Sequence, residues 1–122
     1  YIFWSRHPFD SILGSHLTDD LNDFSVDYPT SKDIVQNRAI SWLYQHEIQQ
    51  CIPKPENSIE VRFEDFVLNQ EKTISKLEDF LQKKLARIPM RPDSLNKWKG
   101  KINPNEFSYL FDAMNYYDYF YE

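Results

Sequence analysis

Apolar residues form two short runs that predict strands, and a helix signal follows the first run. Residues 1–5 are apolar at odd and even positions alike, which predicts a central strand covered on both faces. Pro8 and Asp10 come soon afterwards and favour a helix start, so a short helix should cover about residues 9–17. Residues 58–64 alternate between apolar and polar, which predicts a second strand.

Three further stretches carry apolar residues at helical spacing. The order Thr30-Ser31-Lys32-Asp33 is typical of a helix start, and the helix that follows should reach about Gln50. Asn69 is a candidate cap for a helix through Leu85, and Asn103 is a candidate cap for the last helix. The residues expected to face the core are Val35, Ala39, Trp42, Leu43, His46, Ile74, Leu77, Leu81, Leu85, Phe107, Leu110, Phe111 and Met114.

The order strand, helices, strand, helix is typical of an α/β domain, in which parallel strands have helices on both faces. Polar segments at 18–31 and 86–96 connect the elements. Ligands of such sheets bind at the carboxyl ends of the strands. Arg6 lies at one of these ends, beside a helix start whose amides favour an anion, and Glu64-Asp65 lie at the other. The sequence therefore predicts one crevice with a phosphate site at Arg6, and the plain alternative is that Arg6 pairs with Asp10.

Composition narrows the classes of function. The chain has 122 residues, of which 41% are hydrophobic and 16% aromatic, enough for one domain with a core. Its formal net charge of −5 argues against a general nucleic-acid-binding surface. Cys51 is the single cysteine, which favours a reducing, cytoplasmic location. No apolar run approaches the ~20 residues of a membrane span, and no His, Cys, Asp or Glu cluster has metal-ligand spacing.

The first predicted strand begins at the first residue, and we expect the domain to continue upstream of it. A sheet without one of its strands exposes an edge and an apolar face. The chain by itself should therefore aggregate, form a homo-oligomer or need its N-terminal partner, and a compact monomer in light scattering would contradict this expectation.

Three segments carry a family resemblance. Residues 6–10 (RHPFD) resemble the R-x-P-x-D segment of sulfotransferases that use 3′-phosphoadenosine 5′-phosphosulfate (PAPS). Residues 61–66 (VRFEDF), with Asn69-Gln70-Glu71 and a helix ending in Phe80-Leu81, resemble the RYEDL…NPE…FL segment of that family. Residues 97–119 resemble its C-terminal kW…L…M…GY stretch. The three segments occur in the family's order, so nearly the whole chain resembles the C-terminal portion of a sulfotransferase domain.

The resemblance implies a fold and a reaction. Residues 1–122 would form a single sulfotransferase-like domain of the three-layer P-loop-NTPase-like fold, a parallel sheet flanked by helices, without its N-terminal strand and loop. Family members transfer a sulfuryl group from PAPS, without a metal, to a hydroxyl or amine. The expected partners are the nucleotide and a hydroxyl acceptor, namely a carbohydrate, another small molecule or a tyrosine. The family's phosphosulfate loop and catalytic base lie upstream of R-x-P-x-D, so this chain would hold half of the active site.

The resemblance also assigns residues to the nucleotide. Arg6 would bind the 3′-phosphate. Gly14 stands where the family usually has a serine that shares this contact, so Ser15 or Ser11 would take that place. Phe63 occupies the position of an adenine-side tyrosine and would pack on the base without a hydroxyl.

A further phosphate contact is implied near the C-terminus. When the family's R-K-G-x-x-G-D-W-K pattern is set on Trp98, its arginine falls on Arg91. Asp93 replaces a glycine of that pattern, and Lys97 and Lys99 are weaker candidates. Two functions stay open: a sulfotransferase, and a non-catalytic nucleotide-binding or protein-interaction module derived from the same fold. A small kinase of related fold fits the three segments less well.

Other polar and aromatic residues have ordinary structural explanations. His7 should face solvent, and His46 should be a hydrogen-bonded histidine of the core. Glu64 and Asp65, as neighbours on a strand, should point to opposite faces and serve structural roles. Trp98 lies between lysines and has two interpretations: it stacks on a nucleotide, or it packs in the core or acts as a lid aromatic.

Overall fold

The computed structural model describes residues 1–14 and 33–122, and within these ranges it contains a two-stranded parallel sheet and five α-helices. The α/β class is therefore confirmed. The elements in chain order are β1 (Ile2–Ser5), α1 (Pro8–Ile12), α2 (Ile34–Cys51), β2 (Ile59–Arg62), α3 (Phe63–Leu68), α4 (Gln70–Leu81) and α5 (Phe111–Tyr116), with 3₁₀ helices at Pro92–Ser94 and Pro104–Leu110. Ser15, the predicted loop at 18–31 and the Thr30-Ser31-Lys32 part of the capping order lie outside the described residues.

The two strands run parallel, as predicted, in a register that places Ile2 opposite Ile59. β1 is not covered on both faces by the described residues. Ile2 and Trp4 remain 45% and 49% exposed, and the Trp4 ring meets Phe63 and Phe66 edge-on. The prediction of a fully buried central strand is therefore wrong within the described part of the chain.

The second strand ends earlier than its alternation predicts. β2 stops at Arg62, and Phe63 begins α3. Glu64 and Asp65 lie in the first turn of that helix, where the helix dipole favours carboxylates. The expectation that these two acids point to opposite faces of a strand is consequently wrong.

The long helix α2 begins and ends at clear local signals. The Asp33 carboxylate accepts a hydrogen bond of 2.8 Å from the Val35 amide, so Asp33 itself is the N-cap. The helix ends at Cys51, and Ile52 is extended because the α conformation is disfavoured before Pro53.

The helix α4 is shorter than predicted. It ends at Leu81 instead of Leu85, because Gln82 takes the left-handed conformation with φ 54°. Ile74 and Leu77 are buried, as their spacing predicts, whereas Leu81 is 38% exposed.

The C-terminal segment supplies much of the core. The Asn103 side chain accepts a hydrogen bond from the Asn105 amide, which confirms the predicted cap, although the first turns are 3₁₀ and the α-helix starts at Phe111. Each large side chain that becomes fully buried contributes about 1.5–3 kcal/mol. The buried cluster consists of Phe9, Ile12, Ala39, Trp98, Phe107, Leu110, Met114 and Tyr119.

No helix in the described ranges has the length and apolar character needed to cross a lipid bilayer.

Candidate functional site

Arg6 follows the carboxyl end of β1 and is held on two sides. Its backbone carbonyl accepts a hydrogen bond of 3.1 Å from the Trp42 indole. Its guanidinium lies over the Phe63 ring, with 4.7 Å between Cζ and the ring centroid. The Arg6 Nε is buried without a hydrogen-bond partner, and no carboxylate of the described residues forms an ion pair with it. Arg6 is therefore an oriented cation without an ion-pair partner among the described residues.

The alternative that Arg6 pairs with Asp10 is wrong. The Asp10 carboxylate is buried and accepts two backbone hydrogen bonds, from Asn96 at 2.8 Å and from Trp98 at 3.1 Å. Asp10 thus fastens α1 to the segment that precedes the C-terminal helices.

A cavity of about 330 Å³ opens beside Arg6. Its lining includes Arg6, Ser11, Trp42, His46 and Tyr117. The Ser11 hydroxyl donates its proton to the His7 carbonyl at 3.1 Å. Its oxygen can still accept a hydrogen bond, but the hydroxyl cannot donate to a ligand at the same time.

The structure brings some of the predicted site residues together. Arg6 and Ser11 line the same cavity, and the Arg6 guanidinium lies over the Phe63 ring. Arg91 is exposed, precedes the 3₁₀ helix Pro92–Ser94 and is not part of that lining. Ser15 lies outside the described residues.

The amides at the start of α1 are not directed at an open ligand site. The His7 N–H donates to Glu64 Oε1 at 2.8 Å, and the Phe9 N–H donates to the His7 ring at 3.2 Å. Pro8 between them has no N–H. The expectation that these helix-start amides receive the anion is therefore wrong for His7 and Phe9, and the binding of an anion here depends on side chains.

His7 is buried and does not face solvent as predicted. Its Nδ1 accepts the hydrogen bond from Phe9, so Nε2 carries the proton and donates to the Phe120 carbonyl at 2.6 Å. The ring also stacks on Trp98, with 5.4 Å between the centroids. Burial lowers the pKa of His7 and outweighs the opposing effect of the Phe120 hydrogen bond. His7 therefore connects α1 to the C-terminal tail as a neutral side chain.

The Glu64 carboxylate has the structural role that the sequence predicts. One oxygen holds the His7 amide, and the other is buried without a hydrogen-bond partner. Glu64 thus ties the start of α3 to the segment that follows β1.

His46 lies half-buried on the wall of the cavity. Its Nδ1 is 2.9 Å from the Tyr117 hydroxyl, which donates to the Gln49 side chain at 3.0 Å. The imidazole therefore donates through Nδ1, as the single phenol proton is used. Burial lowers the pKa of His46 and raises that of Tyr117 to about 12. The hydrogen bond expected for His46 is confirmed, but the ring borders the cavity and stacks on Trp42.

Sequence reasoning missed the contribution of Trp42. The helical spacing predicts only a core residue, yet the Trp42 indole N–H donates to the backbone carbonyl of Arg6, the candidate phosphate ligand. The helical spacing of α2 places Trp42 on the inner face but contains no signal for its hydrogen-bond partner. A tryptophan N–H that is removed from solvent usually has an acceptor, and this general tendency is the only signal in the sequence for such a contact.

The described residues contain no group of three or more His, Cys, Asp or Glu side chains placed to hold a metal ion. Comparison of the chain with protein-family models, with curated proteins and with solved structures finds no match.

Proposed function

We propose that this chain forms the 3′-phosphate-binding portion of a PAPS-dependent sulfotransferase with the three-layer P-loop-NTPase-like fold. The full reaction moves the sulfuryl group of PAPS to a hydroxyl of a carbohydrate, another small molecule or a tyrosine. The proposal rests on the three segments that resemble the family and on the environment of Arg6.

The observation that carries the proposal is that Arg6, at the carboxyl end of a parallel strand, lines a cavity and has no ion-pair partner among the described residues. Ligands of α/β sheets bind at this edge, and a guanidinium offers a fork of donors that matches a phosphate. The Phe63 ring keeps the guanidinium in place before a ligand arrives, so less side-chain entropy is lost on binding.

The other assigned residues have defined parts in this proposal. Phe63 packs near the adenine, and Ser11 or Ser15 shares the 3′-phosphate with Arg6. Ser11 has to release the His7 carbonyl before its proton can reach a phosphate oxygen. Arg91 contacts the nucleotide only if the exposed segment around it closes over the ligand.

The transfer step defines what must be supplied elsewhere. The acceptor oxygen forms a bond to sulfur, the bond from sulfur to the bridging phosphate oxygen breaks, and a base takes the hydroxyl proton. Adenosine 3′,5′-bisphosphate leaves with the bonding electron pair. The resemblance assigns the phosphosulfate loop and the base to upstream segments, so binding of the nucleotide is the part proposed for these residues.

A non-catalytic nucleotide-binding or protein-interaction module is the second candidate. The observation that favours it is that groups expected to meet the phosphate already have protein partners. The Ser11 hydroxyl and the amides of His7 and Phe9 are all engaged in internal hydrogen bonds.

Calorimetric titration with adenosine 3′,5′-bisphosphate tests the binding proposal. The wild-type chain should bind the bisphosphate at least tenfold more tightly than 5′-AMP, which lacks the 3′-phosphate. Arg6→Gln should cost roughly 2–4 kcal/mol of that binding and abolish the preference. Lys83→Gln removes the same charge from an exposed position and should change nothing.

Two results separate the candidates. Unchanged affinity in a folded Arg6→Gln variant would remove Arg6 from the site and overturn the proposal. Arg6-dependent binding without sulfated product from PAPS in the full-length protein would support the non-catalytic module.

A further inference from the structure

A second arginine, Arg62, ends the neighbouring strand in a state similar to that of Arg6. Its guanidinium lies over the Tyr119 ring, with 4.8 Å between Cζ and the centroid. Its Nε is buried without a hydrogen-bond partner, and no described carboxylate forms an ion pair with it. The Tyr119 ring is itself fixed, because it is buried and its hydroxyl donates to the Ser5 side chain at 3.0 Å. Arg62 is thus a second oriented cation without an ion-pair partner among the described residues.

Arg62 lines a different and larger cavity, of about 590 Å³. This volume lies within the range of small-molecule sites. The linings of the two cavities have Ser5 and Tyr117 in common, whereas Arg6 belongs to the smaller cavity and Arg62 to the larger. The two cavities therefore adjoin at Ser5 and Tyr117 but contain different arginines.

One face of α4 adds further donors to this cavity. Lys72 and Lys76 are one helical turn apart and both line it, together with Asn69 and Thr73. The Lys76 ammonium donates to the backbone carbonyl of Glu60 at 3.2 Å, which holds it at the outer edge of β2. Three cationic side chains thus converge on one space from two elements.

Three carboxylates also border the cavity, and their positions define the ligand. Glu60 is engaged by the Lys54 ammonium at 2.8 Å and by the Tyr116 hydroxyl at 3.4 Å. Asp65 and Asp118 are exposed to solvent, whereas Arg62 is only partly exposed. The cavity therefore offers cations from β2 and α4 together with hydrogen-bond acceptors at its exposed border.

We propose that this cavity binds a phosphate or sulfate ester of a sugar, with the oxyanion on Arg62 and Lys72 and the hydroxyl groups on Asp65 and Asn69. A guanidinium provides paired donors for the ester oxygens. A carboxylate and an amide accept hydrogen bonds from hydroxyls, and the half-exposed Tyr116 ring offers an apolar face to the carbons of the sugar. The proposal stands independently of the nucleotide site.

Nuclear magnetic resonance of the arginine Nε–Hε groups, with glucose 6-phosphate and glucose 6-sulfate as probes, tests this site. Either ester should shift the Arg62 signal saturably, and glucose without the ester should not. Arg62→Gln should weaken binding of the ester at least about tenfold and Lys72→Gln at least about threefold. Lys83→Gln and Arg6→Gln should leave the affinity within about twofold.

Several results would overturn the proposal. An Arg62 signal that does not move, or a Lys72→Gln affinity equal to that of the wild type, removes the site. Because Lys72 is exposed, that variant decides the question even if Arg62→Gln fails to fold. Inorganic phosphate binding as tightly as glucose 6-phosphate removes the sugar from the proposal, and an equal loss in Arg6→Gln means that the two cavities are one site.

Discussion

The carboxylate of Asp10 accepts the backbone N–H of Trp98 at 3.1 Å, which connects α1 to a residue 88 positions later in the chain. The second carboxylate oxygen accepts the Asn96 N–H at 2.8 Å. Because Asn96 has a left-handed backbone with φ 58°, this link fixes a turn that few other residue types adopt. Asp10 therefore determines where the Trp98 ring enters the core beside Phe9 and His7.

Asp10→Asn should destabilise the fold by about 2–4 kcal/mol, since it replaces one charged acceptor with an NH₂ group that faces an N–H donor. Urea denaturation followed by tryptophan fluorescence measures the change. Asp79→Asn removes the same charge from an exposed position of α4 and should leave the midpoint almost unchanged. Equal midpoints for the two variants would contradict the structural importance of the Asp10 link.

Stability should fall as the pH is lowered through the titration range of His7. Burial lowers the pKa of His7 below the value of 6.5 that it regains on unfolding, so in this range the unfolded chain binds more protons. The stability that depends on neutral His7 is fully present above about pH 6.5. It is lost as the pH falls from that value through the lower pKa of His7 in the folded state. The physical reason is that the buried site disfavours the charged imidazolium, and a proton on Nδ1 would in addition face the Phe9 N–H, which now donates to that nitrogen.

Urea midpoints at several pH values between 5 and 8 measure this dependence. The pKa of His46 is lowered as well, so its contribution has the same sign. His7→Gln should reduce the slope without removing it, and the histidine Hε1 signals should assign a titration below 6.5 to His7. A slope unchanged in His7→Gln would contradict the assignment.

Gln82→Gly should stabilise the chain by about 0.5–1 kcal/mol. Gln82 ends α4 with φ 54°, a left-handed conformation that glycine adopts without steric cost. Gln45→Gly makes the same substitution at an exposed position in the interior of α2 and should destabilise by about 1 kcal/mol. Thermal unfolding of both variants gives the comparison, and a lower melting temperature for Gln82→Gly would contradict the prediction.

Local patterns predict which helices and strands this chain forms better than they predict the residues at which those elements begin and end. The alternation at 58–64 identifies β2, but it does not show that Phe63 already begins a helix. The reason is that a residue such as Phe63 suits either element, and the choice depends on the contacts that its ring makes with Trp4 and Arg6. Likewise, the apolar spacing of α4 extends to Leu85, but the helix ends where Gln82 changes its backbone conformation.

The candidate site is predictable to the extent that it is local. A cation at the end of an apolar strand makes Arg6 a candidate phosphate ligand from ten residues of sequence. The burial of His7 depends on Glu64 and on the Phe120 carbonyl, which are 57 and 113 positions away. A periodic pattern of apolar residues does not predict contacts between positions so far apart. Arg62 and Tyr119, whose side chains stack, are also far apart in the sequence. The sequence patterns therefore do not include Arg62 among the predicted site residues.

Phe63→Leu should weaken binding of adenosine 3′,5′-bisphosphate about threefold to tenfold if Arg6 holds the 3′-phosphate as proposed. The leucine keeps most of the apolar volume but removes the aromatic face that orients the guanidinium, an interaction worth about 0.5–2 kcal/mol. Phe63→Tyr keeps that face and should retain the affinity, and Phe120→Leu changes an exposed ring and serves as the control. Binding of 5′-AMP should change less than binding of the bisphosphate, because only the latter carries the phosphate that Arg6 contacts. An equal loss of affinity for both nucleotides would mean that Phe63 contacts the adenine and does not act through Arg6. An unchanged affinity for both would mean that stacking on Phe63 does not orient Arg6 for its ligand.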